Sequence, residues 1–270
     1  MMGYPPPLSK SYKKAFPFKL ATTSYIYPDR IVPNVMRLAP FMDGIELVLF
    51  ESSGPNALPD DEELTTLIGI SSLQGIDFNI HLPIDVSLGD TREEVRAQGV
   101  STIRRMIDRT RCLNPSVYTL HLDRIGKNGQ QETDLTAWLR SIIRSAEELV
   151  TEGVDPKRFS IETLEYPFEW IEEIVRRFGF SICLDIGHIL TQGQNLRGYL
   201  DKYLPETSIV HLHGFWDGKD HLGIDRLAAS DLKLIISRLR DYHGIVSIEV
   251  FSLEDLARSL AILEERWRDQ

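Results

Sequence analysis

Six of the seven histidines fall where a predicted strand gives way to its following loop. They are His81 in FNIHLP, His121 in YTLHLD, His188 in CLDIGH, His211 and His213 in IVHLHG, and His221 in KDHLG. Carboxylates occupy equivalent places: Glu46 in GIELVLF, Glu162 in FSIETL, Asp185 in CLDIGH and Glu249 in VSIEVF. Imidazoles and carboxylates gathered at one end of a set of strands are the ligands of a borderline or hard divalent metal. Taken singly, each residue has a plainer reading. A lone histidine at a strand end is more often hydrogen-bonded packing, and an Asp before Ile-Gly-His can be an Asx turn. The joint pattern points to a metal site, because independent accidents would not favour one end of every strand. His243 is the contrast: beside Asp241 and Gly244 at a helix end, it reads as surface.

The elements that must position these residues alternate along the chain. Short β-branched runs at 19–24, 44–50, 77–82, 117–122, 159–163, 181–186, 208–213 and 245–250 read as strands. Amphipathic stretches near 31–38, 60–74, 91–111, 133–152, 167–178, 195–203, 230–241 and 253–267 read as helices. Strict β-then-α order implies parallel strands with crossover helices, and eight such units close into a single-domain (β/α)8 TIM barrel. Its active site then lies on the loops at the C-terminal ends of the strands. The barrel is expected to span 19–270, with 1–18 as an extended, lysine-bearing N-terminal extension. Acidic residues 60–63 suit a helix start, and Thr133–Asp134 and Ser230–Asp231 are candidate N-caps. Gly75, Gly179 and Gly244 are candidate helix stops.

In a barrel strand alternate residues face the interior. His211 and His213 therefore share a face, and Asp185 with His188 can deliver two ligands toward one cavity. Glu162 and Glu249, on the fifth and eighth predicted strands, are close enough across the mouth to share a metal. Mixed His and carboxylate ligands suit Zn, Mn, Fe or Co. Arg30, Arg124, Lys127, Lys219 and Arg226 fall in or near βα loops, where they hold phosphate or carboxylate or are ordinary solvated charge. Phe50, Phe215, Trp216 and Phe251 form an apolar wall for a large ligand or pack the barrel rim. No P-loop, dinucleotide fingerprint or nucleophile elbow is present.

The formal charge of −10 argues against a nucleic-acid partner. Two cysteines, Cys112 and Cys183, exclude a disulfide framework and suit a reducing compartment. The first residues lack an apolar secretory core, and no run approaches the length of a membrane span. The expectation is a soluble, cytoplasmic protein acting on a small molecule. Nothing in the sequence sets an oligomeric state.

With these residues placed, the chain resembles the xylose-isomerase-like barrel superfamily over roughly 19–267. That superfamily includes sugar-phosphate isomerases and epimerases and the endonuclease IV type of nuclease. The resemblance is carried by a Glu ending the fifth strand, Asp-x-x-His on the sixth, a His on the seventh and a Glu on the eighth. It implies one ion held by Glu162, Asp185, His211 and Glu249. The histidines on the third and fourth strands imply a second ion on His81, His121 and a bridging Glu162. A third would need His188 with an Asp-x-His pair after the seventh strand. Here the sequence departs, with Asp217 and then adjacent Asp220–His221, so one to three divalent ions per chain are implied.

Within the superfamily, TTSYIYPDRIVPNVMRLAPFMDGIELVLFES and HLPID resemble the cobamide-remodelling phosphodiesterases. That implies hydrolysis of the nucleotide-loop phosphodiester of a cobamide, a B12-type corrinoid, to cobinamide phosphate and an α-riboside. Glu162, Glu249, His213 and His221 would be catalytic. Glu46, Asp217, Asp220, Arg124, Phe215 and Trp216 would contact substrate. The alternatives are a sugar-phosphate isomerase or epimerase in which Glu162 and Glu249 move the proton, an endonuclease IV-like nuclease, and a non-catalytic corrinoid-binding barrel.

Overall fold

The computed structural model describes residues 8–53, 58–124, 134–150 and 153–269. Eight parallel strands close a barrel: β1 (Lys19–Thr23), β2 (Gly44–Val48), β3 (Asp77–His81), β4 (Tyr118–Leu120), β5 (Phe159–Glu162), β6 (Ser181–Asp185), β7 (Thr207–Leu212) and β10 (Ile245–Ile248). The strands are almost wholly buried, as a sheet covered on both faces requires. Around them run α1 (Ile31–Leu38), α2 (Asp61–Gln74), α3 (Glu93–Thr110), α4 (Leu135–Leu149), α5 (Glu172–Phe178), α6 (Ile186–Thr191), α7 (Leu196–Tyr203), α8 (Ala229–Leu239) and α9 (Leu253–Arg268). No helix among the described residues is long and apolar enough to cross a membrane.

Two features depart from strict alternation. β6 is followed by two helices, because Asp185 caps α6 directly, its carboxylate accepting the His188 N–H at 2.7 Å. Between β7 and α8 lies an antiparallel hairpin, β8 (Gly214–Trp216) and β9 (Lys219–Leu222). Asp217 and Gly218 turn it with φ of 51° and 72°, the left-handed geometry that favours Asp-Gly in two-residue hairpins.

The helix-start readings were mixed. Asp60 and Glu63 form a reciprocal capping box, and Asp134 accepts the Ala137 N–H. Thr133 and Lys127 lie outside the described residues. Ser230 and Asp231 do not cap α8, which starts one residue earlier behind Ala228 with no side-chain cap. Gly75 and Gly179 close α2 and α5 in the left-handed conformation. Gly244 does not stop a helix: α8 ends at Leu239, and Gly244 leads into β10. Residues 8–18 form no regular element, yet Leu8, Tyr12 and Phe18 are buried in the main core. Apolar side chains at these positions anchor the segment to the barrel.

The main core fills the space between barrel and helices. A separate small cluster of Ala21, Val117, Cys183, Ile209 and Ile245 comes from five barrel strands or their entrances. The period of two makes these the interior residues below the polar ones: Cys183 lies under Asp185, Ile209 under His211, and Ile245 under Ser247 and Glu249. Apolar residues thus plug the bottom of the barrel, and the chemistry sits above the plug.

Candidate metal centre

Glu162, at the end of β5, is the hub. Its Oε2 is 2.8 Å from His121 Nε2 and 3.3 Å from His81 Nε2. Its Oε1 is 3.5 Å from His211 Nδ1 and 3.6 Å from His188 Nδ1. Glu249 Oε2 lies 3.0 Å from His211 Nδ1, and Asp185 Oδ2 lies 3.7 Å from the same nitrogen. Two groups therefore meet at ligand spacing: His81, His121 and Glu162, and beside it Glu162, Asp185, His211 and Glu249. Glu162, Asp185, His211 and Glu249 are nearly or wholly inaccessible to solvent.

For His81 and His211 the far side of the imidazole is tied down, which fixes the nitrogen facing the centre, and His188 and His121 have further contacts of their own. His81 Nδ1–H donates to Leu82 O at 3.0 Å, and His188 Nδ1–H to Thr163 O at 3.1 Å. His121 Nδ1 faces Asp123, 3.7 Å away. His211 Nε2–H donates to Glu46 Oε1 at 3.1 Å, and Ser247 Oγ–H donates to Glu46 Oε2 at 2.7 Å. His211 therefore presents Nδ1 to Glu249 Oε2. Both atoms are buried with no hydrogen-bond partner among the described residues, as is His221 Nδ1. Either a proton on Nδ1 or a divalent ion would satisfy this 3.0 Å contact, and the buried mixed set of imidazoles and carboxylates fits a divalent ion.

The titration behaviour agrees. Burial alone would raise the Glu162 pKa, but the imidazoles of His121 and His211 hold it well below the carboxylate range. Burial likewise opposes ionisation of Asp185, and His188 and His213 overcome it. Glu249 falls to about 2, where His211 and His221 outweigh desolvation. Desolvation works against a charged His211, yet the carboxylates of Glu249, Glu46 and Glu162 push its pKa well above the usual value. Without a metal, protons on the imidazoles neutralise the buried carboxylates; a metal would displace them.

Above the centre opens a cavity of about 810 Å³. Its polar wall carries Asp85, Asp123, Glu165, His188 and His221 beside the ligands, and its apolar wall carries Phe50, Ile84, Leu164 and Phe251. Among the described lining residues there is no Lys or Arg.

The structure brings together nine sequence-predicted residues: His81, His121, Glu162, Asp185, His188, His211, His213, His221 and Glu249. The substrate-contact assignments fare differently. Glu46 is wholly buried beneath the centre and holds His211 instead. Its pairing explains this: Glu46 lies opposite Asn79, one layer below the Val48–His81 pair. Arg124 packs over Trp138 and Trp170, 5.8 and 4.9 Å from their ring centres, and is not among the lining residues. Phe215, Trp216, Asp217 and Asp220 sit on the hairpin outside the lining, with Trp216 63% exposed. Of the hairpin residues, His221 alone lines the cavity. His213 is fully buried, with Nε2 3.2 Å from Asp185 Oδ1. Asp85, Asp123 and Glu165 were missed by sequence reasoning. Asp123 was recoverable, since it shares a face with His121 two residues earlier.

The chain belongs to the xylose isomerase-like TIM barrel family, which matches residues 42–266. A D-tagatose 3-epimerase-like protein is 21% identical, with 93% of this chain and 98% of that one covered and a TM-score of 0.77. Endonuclease IV from Thermus thermophilus is 16% identical, covering 93% and 100%, with a TM-score of 0.72. L-ribulose 3-epimerase is 14% identical, covering 93% and 95%, with a TM-score of 0.69. At these identities the likeness establishes the fold. No curated protein matches the chain in sequence.

Proposed function

We propose that the protein is a metal-dependent enzyme that hydrolyses a phosphodiester at a two-ion centre. The observation that carries this reading is the shared Glu162 carboxylate, which joins one ligand set through Oε2 and the other through Oε1. Divalent ions there would supply the Lewis acidity that activates water and neutralises phosphate oxygens. The described lining offers a phosphate no other cation. The chain's own groups orient the reaction. His188 is fixed through Nδ1, which leaves Nε2 for the cavity, and His221 brings an unpartnered Nδ1 to 3.7 Å from Glu249. Both are placed to hold or pass a proton at the cavity floor.

The substrate we favour is the nucleotide-loop phosphodiester of a cobamide. Support comes from the resemblance of the segments around TTSYIY and HLPID and from the wide cavity with its apolar wall of Phe50, Ile84, Leu164 and Phe251. A nucleic-acid substrate fits poorly with the carboxylates Asp85, Asp123 and Glu165 on the lining and with the net charge of −10.

A sugar isomerase or epimerase is the second reading, and the similar epimerase structures favour it over the cobamide one. In it Glu162, Asp185, His211 and Glu249 hold one ion, and the two glutamates exchange a proton with the substrate carbon. The described lining then suits an unphosphorylated sugar better than a sugar phosphate.

Metal content and product chromatography on one preparation separate the readings. The protein is incubated with adenosylcobalamin and Mn, Zn, Co or Fe under reducing conditions. Two ions per chain, with release of cobinamide phosphate and α-riboside, is the expected result. One ion per chain, no hydrolysis and interconversion of ketoses would overturn it in favour of the epimerase.

A further inference from the structure

The resemblance implies a catalytic His213, but its surroundings suit another task. It is fully buried and does not line the cavity. Its ring lies against the backbone at Gly187, where an added Cβ would come within 2.0 Å of Cε1. Only glycine permits that approach. Nε2–H donates to the Asp185 carboxylate, 3.2 Å from Oδ1 and 3.3 Å from Oδ2. On the other side Nδ1 lies 3.0 Å from the main-chain nitrogen of His221 and 3.1 Å from Gly214 O, both on the hairpin.

We propose that His213 is a positioning residue: one rigid ring that couples the aim of the Asp185 carboxylate to the seating of the β8–β9 hairpin. The inference rests on Asp185 being a metal ligand. At the hairpin end the ring sits against a costly conformation, since His221 has a φ of 51°. That conformation packs the His221 ring at a tilt against His213, with centres 4.2 Å apart, and brings Nδ1 toward Glu249. At the barrel end Asp185 also caps α6 through the His188 N–H. His213 thus joins three cavity-floor features: Asp185, the α6 start that carries His188, and the hairpin that carries His221.

His188, His213 and His221 also meet at metal-ligand spacing. Nε2 is turned onto the Asp185 carboxylate and Nδ1 onto the hairpin backbone, however, so His213 has no nitrogen left for an ion. The trio is explained by the clamp, with no third ion.

The test compares wild type with His213→Ala, His213→Gln and Gly187→Ala, each checked for native circular dichroism. Glutamine can still donate and accept, so it is the conservative variant. Metal affinity is read by competition with a chelator, and hairpin seating by the rate of tryptic cleavage after Lys219, an exposed hairpin residue. His213→Ala is expected to weaken metal affinity roughly 10- to 100-fold, as loss of a group that orients a ligand does. It should also accelerate the Lys219 cut. Glutamine should recover part of both effects, and Gly187→Ala should reproduce both by displacing the ring. A folded His213→Ala protein with wild-type affinity and cleavage rate overturns the proposal. So does weakened affinity with an unchanged cleavage rate, since the two ends are then not coupled. A wild-type protein that binds no divalent ion overturns the metal-centre reading instead, and the cleavage rates still decide whether His213 seats the hairpin.

Discussion

Glu46 separates a residue that touches substrate from one that aims a ligand. Its carboxylate accepts from His211 Nε2–H at 3.1 Å and from Ser247 Oγ–H at 2.7 Å, in a place with no solvent access. Glu46→Gln preserves volume but removes the charge and turns one oxygen into a donor, which cannot accept from His211 and Ser247 at both ends. The His211 tautomer that presents Nδ1 to the centre is then less favoured. Loss of such a support lowers metal affinity by roughly 10- to 100-fold, or about 1.4–2.7 kcal/mol. Glu46→Ala is harsher, because it strands two buried donors at about 1–3 kcal/mol each, or about 2–6 kcal/mol of stability. Metal affinity would be measured by chelator competition and stability by urea unfolding, with KM determined at saturating metal. The expected result for Glu46→Gln is weaker metal binding with KM nearly unchanged once metal saturates. A raised KM with wild-type metal affinity would refute the placement beneath the centre.

Other outcomes follow from the same geometry. Glu162→Ala should lose tight binding at both ligand sets and abolish turnover, measurable by metal analysis; two retained ions would show that Glu162 does not bridge. His81→Ala with His121→Ala should lower the metal content from two ions to one while the barrel stays folded. Trp216→Ala should leave KM within about two-fold, because Trp216 stands outside the cavity lining; a large rise would place the hairpin tip over the substrate.

The metal-free protein should also respond to pH in a defined direction. Burial opposes a charge on His213, but Asp185 outweighs it and raises the pKa from 6.5 to about 9. That contribution is fully present below pH 6.5 and is lost as pH rises through about 9. It amounts to at most about 3 kcal/mol. Glu249, lowered from 4.5 to about 2, contributes above pH 4.5 and loses that contribution as pH falls through about 2. The chelated protein should therefore melt at a lower temperature at pH 9 than at pH 6, and added metal should reduce the difference. A higher melting temperature at pH 9 without metal would contradict imidazolium as the counter-charge.

The barrel and the height of its ligands were legible in sequence for a local reason. Alternating β and α segments dictate parallel strands, and a period of two dictates which residues face inward. A His or Glu at a strand's end must then rise at the mouth, as His81, His121, Glu162 and Glu249 do. The Asp185-x-x-His188 spacing also carried over, although the helix that Asp185 caps was not foreseen. The hairpin was missed although Trp-Asp-Gly-Lys signals its turn.

Tertiary structure alone decided the layer and orientation of each side chain. GIELVLF and VSIEVF look alike, yet Glu249 reaches the centre while Glu46 lies a layer below it. The difference is set by register between neighbouring strands, which pairs Glu46 with Asn79 and Val48 with His81. Likewise HLHG places two histidines on one face of the chain. Only the three-dimensional neighbours turn His211 Nδ1 toward Glu162 and Glu249, and fasten His213 between Asp185 and the His221 backbone. Sequence determined which groups could gather, because strand period and element order are local properties. The closed barrel determined what each group faces, because register and long-range hydrogen bonds exist only once the chain has folded.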